Sequence, residues 1–223
     1  MNGGGLDGAA VFCSWSGGKD SALALHKAAR AGAEPRLLIS MLTEGGERSR
    51  SHGLRRELLA AQAEAMGLPI RFGSATWAGY EAEFRRLAGE GAAAIGARTG
   101  VFGDIDLAEH REWVERVCGE AGLRAELPLW QQDRAAVVEE LIEAGFEALV
   151  VAVRDDALPP RTLGRQLDRD LLAEVVAAGC DPAGEGGEFH TLVVDGPLFR
   201  RRLAVRLGER SLRDGVWFID ARV

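Results

Sequence analysis

The residues best suited to chemistry lie near the amino terminus, in the run Ser16-Gly17-Gly18-Lys19-Asp20-Ser21. An apolar run over residues 10–13 precedes them, and a helical pattern over residues 21–30 follows. A turn between strand and helix presents unpaired backbone N–H groups and the positive end of the helix dipole to an anion. The two glycines allow the backbone to approach phosphate oxygens and to adopt positive φ, and the two serine hydroxyls add hydrogen-bond donors. Asp20 can bind a Mg²⁺ ion that the phosphates also bind. The run therefore predicts a pyrophosphate site; the alternative is a turn that only joins strand to helix.

Lys19 is informative because lysine is rare in this chain. Lysine and arginine together number 27, and only Lys19 and Lys27 are lysines. A position that needed nothing but positive charge would be arginine in this composition. A slim ammonium fits a narrow loop in which a planar guanidinium would crowd the phosphates. Lys27, two turns farther along the helix, is predicted to face water.

Two common phosphate loops do not match this run. In a Walker A loop the lysine is followed by serine or threonine, whereas Asp20 follows Lys19, and Cys13 stands where the first glycine is required. The G-x-G-x-x-G fingerprint of dinucleotide sites is also missing from this turn. The run instead resembles the PP-loop of ATP pyrophosphatases, which cleave ATP between its α- and β-phosphates.

A second unusual stretch is Gly184-Glu185-Gly186-Gly187-Glu188-Phe189-His190-Thr191. Three glycines, two acids and a histidine before a strand predict a tight turn with fixed side-chain directions. Carboxylates three residues apart can hold a metal, orient an amine or transfer a proton. A solvated glycine turn whose acids face water is an equally weighted alternative.

Several single residues fall at the sheet edge where ligands are expected. Ser51-His52-Gly53 precedes a helix, and a serine or histidine there can contact a phosphate or act as a plain N-cap. Asp104 and Asp106 follow the fourth strand; either can hold Mg²⁺, and Asp106 can equally cap the next helix. Further candidates as phosphate or substrate clamps are the arginines Arg48, Arg50 and Arg154. His26 and His110 lie on predicted helices and receive no role.

Composition restricts the class of protein. The 223 residues carry a net charge of −7, which argues against sequence-independent binding to nucleic acid. Cys13, Cys118 and Cys180 are odd in number and widely spaced, so neither disulfides nor a zinc site is predicted, and the first two fit core patterns. We expect no signal region in the polar, glycine-rich opening, and no apolar run reaches membrane-spanning length, so we expect a cytoplasmic protein.

Alternating strand and helix patterns predict an α/β fold. The predicted strands of the first part lie at residues 10–13, 37–42, 69–73, 100–103 and 123–127, with helices between them. Such alternation implies a parallel sheet with helices on both faces and ligands beyond the carboxyl ends of the strands. A boundary is predicted near Pro128-Leu129-Trp130. Beyond it we expect a smaller α+β domain with helices at 133–144 and 163–178 and strands at 148–153, 192–194, 203–207 and 216–219.

Taken together, the motifs resemble the diphthine–ammonia ligase family of PP-loop ATP pyrophosphatases, within the adenine nucleotide alpha-hydrolase-like superfamily. The resemblance covers nearly the whole chain, in the family's order. It rests on Trp15 to Ser21, Ser51-His52-Gly53, Val101 to Ile105, Leu129-Trp130, Leu163-Gly164-Arg165, Gly184 to Thr191, and Asp195-Gly196-Pro197. One departure is Ala183, where many relatives are expected to carry cysteine.

This resemblance implies a Rossmann-like sheet of the PP-loop (HUP) type over residues 1–132 and an acceptor domain over residues 133–223. It implies that ATP adenylates a carboxylate with release of pyrophosphate, and that ammonia then displaces AMP. In the family the carboxylate belongs to diphthine, a modified histidine of elongation factor 2. No room is left for a glutaminase domain, so free ammonium is the expected nitrogen source.

Roles are assigned accordingly. The expected catalytic residues are Lys19, Asp20, Glu185 and Glu188. The expected Mg²⁺ ligands are Asp20 and Asp104. The expected ATP-binding residues are Ser16, Gly17, Gly18, Lys19, Asp20, Ser21, Met41, His52, Gly103 and Asp104. Three alternatives stay open: a PP-loop tRNA thiolase, which would want catalytic cysteines and a basic face; a PP-loop enzyme acting on another small-molecule or RNA substrate; and a nucleotide-binding module without turnover.

Overall fold

The computed structural model describes residues 6–50 and 52–223. Its first part alternates strands and helices, as the sequence predicts. The elements are β1 (Ala10–Ser14), α1 (Lys19–Arg30), β2 (Glu34–Leu42), α2 (Arg56–Met66), β3 (Ile70–Ser74), α3 (Tyr80–Ile95), β4 (Thr99–Val101), α4 (Ala108–Glu120) and β5 (Arg124–Glu126). The five strands form one sheet in the order β3-β2-β1-β4-β5, and every pairing is parallel. The predicted parallel α/β sheet is confirmed.

The second part contains a separate antiparallel sheet. Its elements are α5 (Arg134–Glu143), β6 (Glu147–Arg154), α6 (Arg169–Ala177), β7 (Phe189–Asp195), β8 (Arg206–Arg213) and β9 (Val216–Arg222). The strand order is β7-β6-β9-β8. The β8–β9 hairpin turns at Asp214 and Gly215, whose φ angles of 49° and 77° are those that Asp-Gly favours in a two-residue turn.

Two element boundaries differ clearly from the predictions. The helix predicted from residue 163 begins only at Arg169, because the Asp168 carboxylate caps it by accepting a hydrogen bond from the Leu171 N–H at 2.8 Å. Before this cap, Gly164 has a φ of 83°, and Gln166 forms an isolated antiparallel bridge with Leu149 of β6. The strand predicted over 203–207 is displaced: Leu203 is a buried residue outside any strand, and β8 runs from Arg206 to Arg213.

The core consists of two hydrophobic clusters on opposite faces of the parallel sheet. The smaller cluster packs α3 and α4 against one face around Phe12, Phe84 and Phe102. The larger joins α1 and α2 on the other face to the helices and strands of the antiparallel sheet. Cys13 and Cys118 are buried in these clusters, which confirms their predicted place in the core, and burial raises the pKa of the Cys118 thiol to about 12. No helix of the described residues has the length and apolarity to cross a membrane.

A buried amide connects the two sheets. Gln62, on α2, is fully buried. Its Oε1 accepts a hydrogen bond from Trp15 Nε1 at 2.9 Å, and its Nε2 donates to the carbonyls of Gly17 at 2.9 Å and Val193 at 2.7 Å. The Val193 N–H also donates to the Gly17 carbonyl at 3.0 Å. The chain after β1 is therefore fixed simultaneously to α2 and to β7.

We predict that Gln62→Leu destabilises the protein strongly. A side chain of similar size keeps the packing but leaves buried donors and acceptors without partners, at about 1–3 kcal/mol each. The free energy of unfolding in denaturant should fall by about 3 kcal/mol in total. Gln166→Leu, at an exposed glutamine, is the control and should change it by less than about 0.5 kcal/mol. Equal stabilities for the two variants would contradict the importance of this network.

Candidate functional site at the junction of the two sheets

The Ser16–Ser21 loop lies between β1 and the first turn of α1, at the carboxyl edge of the parallel sheet. Gly17 has the predicted positive φ, 84°. Gly18 does not: its φ is −96°, and it serves as the N-cap of α1. Gly18 is needed for another reason, since a Cβ there would lie 2.7 Å from His52 Nε2. Gly17 is therefore required by its backbone angle, and Gly18 by the lack of space for a side chain.

The two serines of the loop contact one another. Their hydroxyl oxygens are 3.0 Å apart, and the Ser21 hydroxyl donates to the Gly18 carbonyl at 3.1 Å. The Gly18 N–H donates to the Ser16 hydroxyl at 3.3 Å. These bonds hold the loop in a compact shape.

Lys19 is the buried cation of the site, with only 6% of its surface exposed. Its ammonium lies 2.8 Å from Asp20 Oδ2 and 5.7 Å from the centre of the Phe189 ring. The Lys19 N–H donates to the Thr191 hydroxyl at 3.0 Å. The other carboxylate oxygen of Asp20, Oδ1, is buried and accepts no hydrogen bond from the described residues. The β7 strand therefore forms one wall around the lysine.

Gly103 brings the end of β4 close to this loop, because a Cβ at that position would lie 2.8 Å from the backbone of Asp20. Asp104 follows, and burial together with the nearby Asp20 charge raises the pKa of its carboxyl. His110 Nδ1 lies 3.2 Å from Asp104 Oδ1, a contact that was not predicted. Asp106 does not cap α4, whose N-cap is Leu107.

No group of three or more histidine, cysteine or acidic residues capable of holding a metal occurs within residues 6–50 and 52–223. Mg²⁺ in phosphate sites commonly has only one or two carboxylate ligands, the rest being phosphate and water oxygens. The free Oδ1 of Asp20, with Asp104 beside it, fits that kind of site.

Two histidines meet beside the loop. The His52 and His190 rings lie 4.8 Å apart, edge to face. Burial lowers the pKa of both, and the charge of Lys19 lowers them further, so both are neutral at neutral pH. The N-cap interpretation of Ser51-His52-Gly53 is wrong for the described His52, because α2 begins at Arg56 with Arg55 as its N-cap. Ser51 itself lies outside the described residues.

The turn at residues 184–188, here called the acidic turn, faces the same junction. Burial, reinforced by the negative charge of Asp20, raises the pKa of Glu185 to about 7. Glu188 Oε1 accepts a long bond from the Asp181 N–H at 3.4 Å, and its Oε2 is buried without a partner among the described residues. Arg154 donates to the Gly186 carbonyl at 2.8 Å and fixes the turn. The acids therefore differ from those of an ordinary solvated turn.

Arg134 ties the acidic turn to the parallel sheet. It makes a bidentate ion pair with Asp106 at 2.7 Å and a second ion pair with Asp181. These contacts join the segment after β4, the start of α5 and the segment before the acidic turn. Neither Arg134 nor Asp181 was predicted to have a role.

A cavity of about 590 Å³ opens beside the Ser16–Ser21 loop. Ser16, Met41 and Asp104, all predicted to contact nucleotide, line it. Further lining residues are Trp15, Ser40, Arg50, Trp77, Tyr80, Phe102, His110 and Trp113. The Arg50 guanidinium stacks on the exposed Trp77 ring at 4.5 Å. Arg48, by contrast, lines a different cavity.

Several residues of the site were not predicted from the sequence. Burial of Gln62 could have been predicted, because this polar residue is four positions from Leu58 and so lies on the apolar face of α2. His110 carried no such signal, since only the fold brings it to Asp104. Thr191 belongs to the run from Gly184 that the sequence singles out, but its contact with Lys19 depends on the fold.

Two sequence families match the chain. The Diphthamide synthase N-terminal domain matches residues 9–125, and the Diphthamide synthase C-terminal domain matches residues 133–222.

Similar curated proteins include diphthine–ammonia ligases. That of Schizosaccharomyces pombe is 35% identical over 98 residues, which are 43% of this chain and 16% of the relative. That of Danio rerio is 33% identical over 96 residues, covering 41% and 38%, and that of Homo sapiens is 33% identical over 100 residues, covering 43% and 38%. The match thus spans less than two fifths of each relative's own length.

Among solved structures, the U34-tRNA thiolase NcsA from Methanococcus maripaludis with its 4Fe-4S cluster aligns with a TM-score of 0.38 and 14% identity, over 62% of this chain and 56% of that one.

The raised pKa of Glu185 predicts a pH-dependent cost to stability. The unfolded chain releases this proton near the ordinary value of 4.5, whereas the folded chain keeps it to about 7. Between those pH values the unfolded chain has released the proton and the folded chain has not. The free energy of unfolding therefore falls as pH rises and levels off above pH 7. Glu185→Gln should remove this fall, giving a variant about 1 kcal/mol more stable than wild type at pH 8 after allowance for partial exposure. Unfolding in denaturant across this pH range measures it, with Glu139→Gln at an exposed site on α5 as the control; parallel profiles for wild type and Glu185→Gln would contradict the prediction.

Proposed function

Because the chain belongs to the diphthamide synthase family, we propose that it is an ATP-dependent ligase that joins ammonia to a carboxylate and releases AMP and pyrophosphate. The observation that carries the proposal is the environment of Lys19. A buried ammonium lies at the start of α1, between the carboxyl edge of the parallel sheet and β7. This is a site built to hold polyphosphate.

ATP binds with its phosphates at the Ser16–Ser21 loop and its nucleoside in the adjoining cavity of about 590 Å³. Lys19 and the N-terminus of α1 neutralise the β- and γ-phosphates. The aromatic wall, which includes Tyr80 and Phe102, suits a purine base. Mg²⁺, held by Asp20 and Asp104 together with the phosphates, would supply further neutralisation of phosphate charge.

In the first step an acceptor carboxylate oxygen forms a bond to the α-phosphorus, and the bond from that phosphorus to the bridging oxygen of pyrophosphate breaks. Lys19 stabilises the charge that develops on the departing pyrophosphate. The carboxylate, which has a poor leaving group, becomes an acyl-adenylate, which has a good one. Ammonia then attacks the acyl carbon, and AMP leaves to give the amide.

Glu185 and Glu188 serve the nitrogen side of the reaction. Ammonium must lose a proton before attack, and a carboxylate whose pKa is about 7 can accept that proton at neutral pH. The unpartnered Oε2 of Glu188 is an acceptor for an N–H of ammonium. The neutral His52 and His190 add no positive charge that would repel the cation.

The proposed acceptor is a carboxylate carried by a protein. The curated relatives are named for diphthine, and the family resemblance associates diphthine with elongation factor 2. By this proposal the acceptor is diphthine on that factor.

We predict that Lys19→Ala weakens binding of MgATP by about 2 kcal/mol, roughly 30-fold, because a charged hydrogen bond to phosphate is lost. Isothermal titration calorimetry measures the change. Lys27→Ala is the matched control, because Lys27 lies outside the loop. The prediction that Lys27 faces water is wrong, since its side chain is partly buried and its ammonium lies 2.5 Å from the Glu140 carboxylate. Unchanged affinity in folded Lys19→Ala would overturn the assignment of the loop to phosphate.

We also predict that turnover yields AMP and pyrophosphate. The protein is incubated with MgATP, ammonium and diphthine-bearing elongation factor 2, and the nucleotides are separated by chromatography. With an oxygen-labelled carboxylate, one labelled oxygen should appear in AMP, because adenylation leaves that oxygen on the α-phosphate. ADP as the main product, or AMP without label, would contradict the proposed route.

A further inference from the structure

A second and larger cavity, of about 820 Å³, lies on the other side of His52. One wall is the segment before α2, and the other is the β8–β9 hairpin, so the cavity lies between the two sheets. Its floor is apolar and includes Leu54, Leu58, Phe218 and Ile219. Four arginines line it, and we call it the arginine groove: Arg48, Arg55, Arg213 and Arg222. Clefts between domains are common binding sites.

Three of these arginines converge on a single carboxylate. Arg55 and Arg222 each approach Asp220 at 2.8 Å, and Arg48 approaches it at 3.8 Å. Burial raises the pKa of Asp220, but the hydrogen bonds and charges of Arg222 and Arg55 together outweigh it and lower the pKa, so Asp220 is ionised at neutral pH. This end of the groove therefore has three positive charges and two negative charges, because Glu209 lies in the bulge of β8 opposite Asp220. The excess can bind further carboxylates, since guanidinium donors pair with them in bidentate fashion.

The remaining charges of the groove are divided between its two ends. Arg213, which pairs with no carboxylate among the described residues, and the exposed Asp214 lie at the tip of the hairpin, whereas the exposed Glu209 lies in the bulge of β8 opposite Asp220. The charge is thus uneven along the groove, with its positive excess around Asp220. Arg48 donates to the Gly53 carbonyl at 2.8 Å, so the positive end adjoins the turn that carries His52. His52 in turn lies against Gly18 of the Ser16–Ser21 loop.

From this arrangement we propose that the arginine groove binds an acidic, partly apolar segment of the protein acceptor and leads it toward the Ser16–Ser21 loop. The proposal rests on the function proposed above, in which the acceptor is a protein. Side-chain carboxylates of the segment pair with the guanidinium groups around Asp220, and its apolar side chains cover the floor. A nucleic acid is the less suitable occupant, because it carries a phosphate at every nucleotide, whereas the groove combines an apolar floor with the acids Glu209, Asp214 and Asp220, which suit a segment of spaced carboxylates and apolar side chains.

The test measures binding of a fluorescent peptide of alternating glutamate and leucine by anisotropy, in the absence of ATP. The double variant Arg213→Glu with Arg222→Glu reverses two exposed charges of the groove. It should weaken binding by about tenfold or more, and wild-type affinity should fall with added salt. Arg98→Glu with Arg161→Glu makes the same change in net charge at two exposed arginines outside the groove and is the matched control. Arg213→Lys with Arg222→Lys, which keeps the charge, should retain most of the affinity.

Absence of peptide binding to wild type, or equal weakening by the groove and control variants, would overturn the proposal. So would a single-stranded oligonucleotide of equal charge that binds more tightly and loses affinity in the groove variant alone, because the occupant would then be a nucleic acid. MgATP binding and AMP formation are measured on the same proteins. A groove that binds peptide in a protein that makes no AMP would refute the function proposed above, whereas AMP formation with an inert groove would refute only the docking site.

Discussion

The structure of the site depends on the hydrogen bonds of one buried amide. Gln62 lies where an apolar residue would ordinarily cover the sheet, and its side chain uses both donors of Nε2 and its Oε1 acceptor. A buried amide is tolerated only when it is satisfied, so the positions of Trp15, Gly17 and Val193 are mutually restricted. Because Gly17 carries the positive φ of the Ser16–Ser21 loop, the geometry of that loop is set by α2 and β7 as well as by its own sequence.

A second constraint is the balance of charge around Lys19. The ammonium is buried with one carboxylate oxygen at 2.8 Å, while the histidines beside it are neutral and Glu185 holds its proton to about pH 7. Burial of an ion is tolerated only with compensation, and here Asp20 supplies it. A bound polyphosphate would add negative charge where Lys19 and the N-terminus of α1 can neutralise it. Ionisation of the carboxyls in the acidic turn, in contrast, costs free energy because of burial and the nearby Asp20 charge. A bound cation would offset that cost, as expected of a cation site.

The sequence predicts contiguous features well and long-range contacts poorly. The strands and helices of the parallel sheet follow from local apolar periodicity, and the Ser16–Ser21 loop follows from six adjacent letters at a strand-to-helix junction. The start of α6 was misplaced because Gly164 and the cap at Asp168 outweigh an apolar pattern that continues through residue 163. β8 was misplaced because its residues are mostly exposed and lack the alternation of a half-buried strand, although the Asp214-Gly215 turn marks the hairpin. The pairing of His110 with Asp104 and of Arg134 with Asp181 depends on the relative placement of distant segments, which periodicity does not encode.

The strand β7 explains why the antiparallel sheet is needed at all. Consecutive residues at its start contact different parts of the site: Phe189 lies under the Lys19 ammonium, His190 meets His52 edge to face, and Thr191 accepts from the Lys19 N–H. Glu188 immediately precedes this strand, so the distance from the acidic turn to the loop is fixed by extended backbone. The parallel sheet alone would hold the Ser16–Ser21 loop open to solvent on one side. With β7 in place, a buried cation and a group of acids face each other across the junction of the two sheets, and neither sheet creates that arrangement by itself.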